Sequence, residues 1–408
     1  MRIIHTSDWH LGQYFFTKSR AAEHQQFLTW LIEQVKLHQV DAMIVAGDIF
    51  DTGSPPSYAR ELYNQFVVSL QQTGCQLVIL SGNHDSVSVL NETSSLLAYL
   101  NTDVVTSGAT PHVITLKNAQ GQPGALLCAI PFLRPRDIQL SVAGQSSEEK
   151  QLSLQTAIRD YYQASYQLAE QQRQTMGLDI PIIATGHLTV VGAELTESVR
   201  DIYIGTLDAF PSAAFPPADY IALGHIHRPQ VIGQQQHIRY SGSPIALSFD
   251  EANQQKSVCL VEFDGRELSQ IHQLAIPIFQ PLQTLKGSLA DIQKQLHALS
   301  IEPDTPPVWL DIEVASQDYL ADIQQRIKSI IKGLPVEVVL LRRARKPQNP
   351  QQALANETLN ELTAEEVFLR RLAEESLDDK EKEQRLLVLF RQSYDALRAE
   401  LEGNSWKS

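Results

Sequence analysis

The sequence predicts an α/β protein: helices layered around a sheet system, then a small β-α-β unit and a helical C-terminal segment. Three observations predict it. Residues 1–275 alternate strand-like apolar runs with helical stretches, the pattern of α/β layers. Residues 276–345 change character and read as strand, helix, strand. Residues 346–408 begin polar and linker-like, then carry two helical stripes.

Taken in order, the strand candidates of the first part are "RIIHTSD", "AMIVAGD", "LVILSGN", "GALLCAIPF", "IPIIATGH", "DYIALGH", "HIRYSGS" and "SVCLVEF". Such short apolar runs bounded by turn residues suit buried strands. Helical patterns cover Ala21 to Leu37, Ser57 to Gln71 and Leu152 to Gln174, and "SVAGQSSEEKQLSLQ" reads as a surface connection. After "AIPIFQP", "PVWLDIEVA" is a strand. "QDYLADIQQRIKSIIKGL" is an amphipathic helix stopped by Gly333 with Pro335 beyond, and "VEVVLLRR" is a second strand. In the last part Thr363 and Glu366 form a capping box, with Leu362 placed to staple to Val367. Leu386, Phe390, Tyr394, Leu397 and Leu401 then repeat at helical spacing, a stripe that either folds back on the core or meets a partner.

The chain has 408 residues, 43% hydrophobic and 20% charged, enough for two or three domains with a sizeable core. No run approaches the roughly 18 apolar residues of a membrane span. Met1-Arg2 leads straight into a strand, so no signal peptide is expected. Cys75, Cys128 and Cys259 are scattered and outside any CxxC, which fits a reducing cytoplasm and argues against a thiolate zinc site. The net charge of −14 argues against nucleic-acid binding by bulk charge, but leaves room for a local basic groove and for metal-binding carboxylates.

Five apolar runs stop at metal-ligand chemistry. "HTSDWH" closes on Asp8 and His10, "VAGD" on Asp48, "SGNHD" on Asn83 and His84, "TGH" on His187, and "GHIH" on His225 and His227. On an extended segment residues i and i+2 share a side, so Asp8 with His10, and His225 with His227, are each expected to face one point. Gly47, Gly82, Gly186 and Gly224 allow close backbone approach. Ligand sites of open α/β sheets lie at the carboxyl ends of the strands. Three oxygen ligands (Asp8, Asp48, Asn83) and four imidazoles (His10, His187, His225, His227) exceed one ordinary ion. Two divalent ions about 3.5–4 Å apart, sharing Asp48, use them all. Such a mixed set suits manganese, iron or zinc, and such a pair acidifies water and offsets charge in displacement at a phosphodiester. His84 directly follows Asn83, so it is held near the metals without binding one. It is the candidate general acid or transition-state stabiliser; the other reading is that it only orients Asn83. Singly, each "GD" or "GH" is ordinary turn chemistry. The ordered set is what points to a metal centre. His5 reads as a core residue, and Asp51 and Asp85 as turn or supporting residues.

This order of motifs resembles the calcineurin-like metallophosphoesterase pattern throughout, which implies a β-sandwich flanked by helices. "MRIIHTSDWHLGQ", "VAGDIFDTGSPPSYAR", "IPFLRPRD", "VRDIYIGTLDAFP" and "DYIALGHIHRPQ" are similar, over nearly the whole chain, to the SbcD family, the nuclease subunits of bacterial SbcC–SbcD complexes. The resemblance implies a nuclease domain (1–275), a capping domain (276–345), and a linker with C-terminal helices (346–408) that dock on the coiled-coil base of an SbcC-type, SMC-like ATPase. Phe368, Leu372, Leu386, Phe390, Tyr394 and Leu397 are the docking candidates. It further implies two Mn2+ ions per chain and ATP used by the partner, not bound by this chain. The implied action is exonucleolytic on duplex ends and endonucleolytic on single strands and hairpins, in DNA end processing, repair and recombination. A homodimer within a heterotetramer is implied, with "SYARELYNQFVVSL" and "SSLLAYL" as interface candidates.

Candidate DNA or partner contacts are Tyr14, Lys18 and Arg20 in "GQYFFTKSR", Arg134 and Arg136 in "FLRPRD", and Arg342 and Arg343 in "LLRRARK". Aromatic and basic residues together suit stacking and phosphate contact. Loop packing, solvated charge and, for "LLRRARK", a solvated linker are the alternatives. The competing functions are a metallophosphoesterase for a non-DNA phosphoester and a scaffold that metals only stabilise.

Overall fold

The computed structural model describes residues 1–138, 146–199, 209–299, 306–315, 320–344 and 386, the side chains of 147 and 320–322 excepted. Residues 1–344 form one compact unit and residues 345–408 a second. Within the first unit two six-stranded sheets pack face to face, the β-sandwich that the resemblance implies. The first runs Glu267–Ala275, Ser257–Asp264, Arg2–Thr6, Ala42–Ala46, Gln76–Leu80, Thr102–Val105. The second runs Gln230–Ile232, Gln235–Tyr240, Tyr220–Gly224, Ile182–His187, Pro123–Cys128, Val113–Lys117. The central strands of each sheet are parallel, so their carboxyl ends lie at one edge.

Burial on both faces explains the continuous apolar runs. Ala42, Ile44 and Ala46 face the second sheet, packing with Ile183, Tyr220 and Ala222. Met43 and Val45 face outward onto the helices Ala21–His38 and Ser57–Gln71, through Phe27, Leu31 and Phe66. The helix Ser147–Met176 covers the outer face of the second sheet with Ile158, Tyr162 and Tyr166. Each such side chain contributes about 1.5–3 kcal/mol when fully buried. A run of doubly buried strands does not say which sheet each strand joins, and that is why the apolar runs alone read as one sheet system.

The long helix begins earlier than the apolar spacing indicates. Ser146 Oγ accepts from Glu149 N at 3.2 Å, and Glu149 Oε2 accepts from Ser146 N at 2.8 Å. This capping box lies inside the stretch that reads as a surface connection, where polar first turns mask the helical period.

The small unit is also larger than expected. Leu282–Gly287, Val308–Val314 and Val336–Arg343 form a parallel sheet, crossed by the helices Leu289–His297 and Leu320–Ile330. The extra strand and helix at its start, "LQTLKG" and "LADIQKQLH", escape notice because only Leu282, Leu285, Ile292 and Leu296 are buried. "LLRR" is the end of a strand, not a linker. The predicted capping box at Thr363 and the residues Phe368, Leu372, Phe390, Tyr394 and Leu397 lie outside the described residues.

Two core histidines give the fold a pH dependence. His5 contacts Tyr220 OH at 2.9 Å and Leu223 O at 3.2 Å, which agrees with its reading as a core residue. His24 Nε2 donates to Trp9 O at 3.0 Å. Burial lowers each ring from 6.5 to about 3. The unfolded chain therefore binds more protons below pH 6.5 than the folded chain does. Stability present above that value is lost as the pH falls toward 3, by at most roughly 3 kcal/mol per ring at about pH 4. Thermal unfolding between pH 7 and 4 is expected to show a steadily falling midpoint. A flat profile would contradict the neutral, buried state of these rings.

Candidate metal centre

The strands end at Thr6, Ala46, Leu80, His187 and Gly224, and most of the predicted ligands sit just past those ends. The backbone there is not extended. Asp8, His10, Asp48 and His225 have φ of 52°, 47°, 50° and 92°. The expectation that Asp8 and His10, or His225 and His227, converge through extended i, i+2 geometry is therefore corrected: left-handed turns aim these side chains. Such residues cost on the order of 1–3 kcal/mol each and persist only where surroundings hold them. Here Asp8 N donates to Gly47 O and His10 N to Asp48 O, both at 3.0 Å. Glycine matters most at Gly82 and Gly224. A Cβ at Gly82 would overlap the carboxylate of Asp48, and one at Gly224 would overlap the carbonyl of Ala46.

The fold brings the predicted set together. Donor atoms of Asp8, His10 and His227 lie within 4.8 Å of one another, as do those of Asp8, Asp48 and His187. His187 Nε2 is 2.9 Å from Asn83 Oδ1 and 3.2 Å from Asp48 Oδ2, while its Nδ1 donates to Ala46 O at 2.9 Å. His225 packs against His187 with ring centroids 5.3 Å apart, and its backbone N donates to Asp8 Oδ1 at 2.9 Å. His10 Nε2 is 3.7 Å from Asp48 Oδ2. The groups of Asp8, His10 and His227 and of Asp8, Asp48 and His187 share Asp8, and a third, His10 with Asp48 and His84, joins them through His10 and Asp48.

The residues fit divalent cations. His10 Nε2 and His225 Nε2 are buried with no hydrogen-bond partner, an arrangement that is costly unless something else takes the lone pair. Charge points the same way. Burial would lower His187, but the adjoining Asp48 carboxylate raises it to about 9. Burial would raise Asp48, yet His187, His10 and His84 hold it well below the usual carboxylate range. Burial and the neighbouring His187 keep His225 neutral, with its pKa well below 6.5. The pocket therefore holds an ionised carboxylate whose neighbouring His187 takes up positive charge in place of a cation, beside a neutral His225 whose Nε2 has no hydrogen-bond partner.

His84 lies against this group. Its backbone N donates to Asp48 Oδ1 at 2.9 Å, its Nδ1 donates to Asp51 O at 2.7 Å, and its ring is 4.8 Å from that of His10. Its donor atom also falls within 4.8 Å of those of His10 and Asp48. Asp51 Oδ1 is 3.2 Å from His10 Nδ1. Asp85 accepts from Ile49 N at 3.1 Å, Phe50 N at 2.9 Å and Gly82 N at 2.8 Å, clamping the Asp48 loop to the Asn83 loop. Sequence reasoning misses Glu251, fully buried beside His227, and the Ser198 and Lys256 that bond to it. "SFDEANQQK" shows no period or motif, and only the fold places its carboxylate at the centre.

The outlying candidates divide. Tyr14 is 57% exposed and Arg136 is exposed beside Asp137. Lys18 pairs with Glu337 of the small sheet. Arg20 is a correction: at 1% exposure it cannot reach DNA. Its guanidinium donates to Glu23 at 2.5 Å and Ala246 O at 2.7 Å and lies over Phe15, whose ring stacks on Trp309. It pins the small sheet to the metal-bearing one. Arg342 is likewise engaged, forming a two-pronged bond to the buried Asp311 at 3.1 and 2.6 Å, and Arg343 is exposed on the same strand. Arg134 is half-buried, 3.3 Å from Asp85 O and over the Phe132 ring.

A family model described as calcineurin-like phosphoesterase matches residues 1–229. One described as the type 5 capsule protein repressor C-terminal domain matches residues 278–376. The SbcD component of the SbcCD nuclease of Escherichia coli K12 is 57% identical over 406 residues, covering 98% of this chain and 100% of that protein. The SbcD protein of Bacillus subtilis 168 is 33% identical over 79% of this chain and 81% of its own. That of Rhodobacter capsulatus is 32% identical over 90% and 93%. A buried, two-lobed set of carboxylates and imidazoles at the strand ends, with these extensive matches, leads to one conclusion: the chain belongs to the calcineurin-like phosphoesterase family and, within it, to the SbcD proteins of SbcCD nucleases.

Proposed function

We propose that this chain is the metal-dependent DNA nuclease subunit of a complex with an SbcC-type ATPase. The observation that carries the reading is the convergence of five strand ends on buried donors with two unsatisfied imidazole nitrogens. We propose Asp8, His10, Asp48, Asn83, His187, His225 and His227 as ligands of two divalent cations, Mn2+ in the cell. Bound there, the cations supply Lewis acidity for water activation and for the charge of a phosphodiester.

The chain's own residues do the rest. Asp48 lies between the two groups, with Oδ2 toward both His10 and His187 and Oδ1 held by the backbone N–H of His84. Asn83, an amide, adds a donor without adding negative charge where an anionic substrate enters. His84 Nδ1–H is held by the Asp51 carbonyl, which can only accept. Nε2 is then the nitrogen that faces a leaving oxygen, and it donates a proton only when the ring is imidazolium. Arg134, which contacts Asp85 O, with Arg136 and Tyr14, are the proposed DNA contacts. The exposed Val68, Leu96 and Tyr99 support a homodimer through the helix Ser57–Gln71 and the helix Ser94–Leu97 with the 3-10 turn Ala98–Leu100 that follows it. ATP belongs to the partner, docked by the C-terminal segment. Among the described residues no helix is long and apolar enough to cross a membrane, and we place the complex in the cytoplasm.

The test is cleavage of an end-labelled DNA hairpin and a blunt duplex with Mn2+, with and without the SbcC-type partner and ATP. Hairpin nicking, with duplex-end degradation only when partner and ATP are present, is expected. Hydrolysis of a small phosphodiester with no cleavage of either DNA would instead assign the centre to a non-DNA phosphoester.

A further inference from the structure

We propose that Glu251 is a positioning residue of the metal centre, fixing through Ser198 which nitrogen of His227 is offered to a cation; this rests on the metal-centre reading above. Glu251 sits on a one-turn 3-10 helix, Phe249–Glu251, and is fully buried. Its carboxylate is surrounded by donors. Oε2 accepts from Lys256 Nζ at 2.6 Å and Leu247 N at 3.0 Å, and Oε1 accepts from Thr196 Oγ1 at 2.9 Å and from Ser198 Oγ. Lys256 also donates to the backbone oxygen of His227 at 2.9 Å, so the network holds both the main chain and the ring of that residue.

The proton arrangement follows from donor inventory. An ionised carboxylate only accepts, so the Ser198 hydroxyl gives its single proton to Glu251. Ser198 Oγ, 2.6 Å from His227 Nδ1, is then left as an acceptor. His227 must donate from Nδ1. In the neutral ring Nε2 is therefore the unprotonated nitrogen, the one left for the group that His227 shares with Asp8 and His10. An imidazole ligand is commonly oriented in this way by a carboxylate behind it, and loss of such a partner costs about 10–100-fold in metal affinity. The network also spans the fold: Ser198 follows a strand of the second sheet, whereas Lys256 directly precedes Ser257–Asp264 of the first.

The experiment compares full-length wild type, Glu251→Gln and Ser198→Ala. Ser198→Ala removes only the relay and leaves the Glu251–Lys256 pair intact, so it serves if Glu251→Gln does not fold. Ring 15N shifts of the metal-free protein read the His227 tautomer, and calorimetric titration with Mn2+ reads affinity. Expected are a protonated Nδ1 and a bare Nε2 at His227 in wild type, mixed tautomers in the variants, and Mn2+ affinity about 10–100-fold weaker at one of two sites. Folded variants with wild-type tautomer and affinity would overturn the role of Glu251 alone. Wild type that titrates no Mn2+ would overturn the metal-centre reading and this role with it.

Discussion

Asp48→Ala is expected to reduce bound Mn2+ from two ions to at most one per chain and to lower DNA cleavage by at least about 10²–10³-fold, the loss seen when one group stabilising developing charge is removed. The cause is its position. Asp48 is buried, 3.2 Å from His187 Nε2 and 3.7 Å from His10 Nε2, and so lies between the two groups of donors. Its other oxygen accepts from the backbone of His84. Loss of the carboxylate therefore removes a shared ligand and loosens the loop that carries His84. Metal analysis of the dialysed protein, with hairpin cleavage, checks both parts. A variant that keeps two ions and cleaves within tenfold of wild type would remove Asp48 from the bridging position.

His84→Ala should separate binding from chemistry. Cleavage is expected to fall by about 10²–10⁴-fold, the range of a general acid, with Mn2+ stoichiometry and affinity near wild type. The side chain reaches the site from the loop after Gln76–Leu80, held by the Asp51 carbonyl at 2.7 Å. Its ring abuts that of His10. If His84 only orients Asn83, affinity would fall together with activity. If it is itself a ligand, an ion would be lost. Calorimetry beside single-turnover cleavage distinguishes these three outcomes.

Much of this protein can be read from residue order alone. The alternation of apolar runs and helical stripes, and the apolar runs that stop at Asp, Asn and His, are local properties carried by consecutive residues. Asp8, His10, Asp48, Asn83, His187, His225 and His227 are legible because each follows or closes a strand, and strands betray themselves by their run of buried side chains. The rest is decided by the tertiary structure, because it depends on what lies across the fold rather than along the chain. The division of the strands between two sheets follows from how they pair. The left-handed turns at Asp8, His10 and Asp48 are imposed by bonds between loops more than thirty residues apart. Arg20 looks like a phosphate contact until the fold buries it against Glu23 and Phe15. Glu251 looks like any polar loop residue until folding removes water from it and sets it behind His227. A charge takes its role from what solvates it, and that partner is supplied by packing between distant segments.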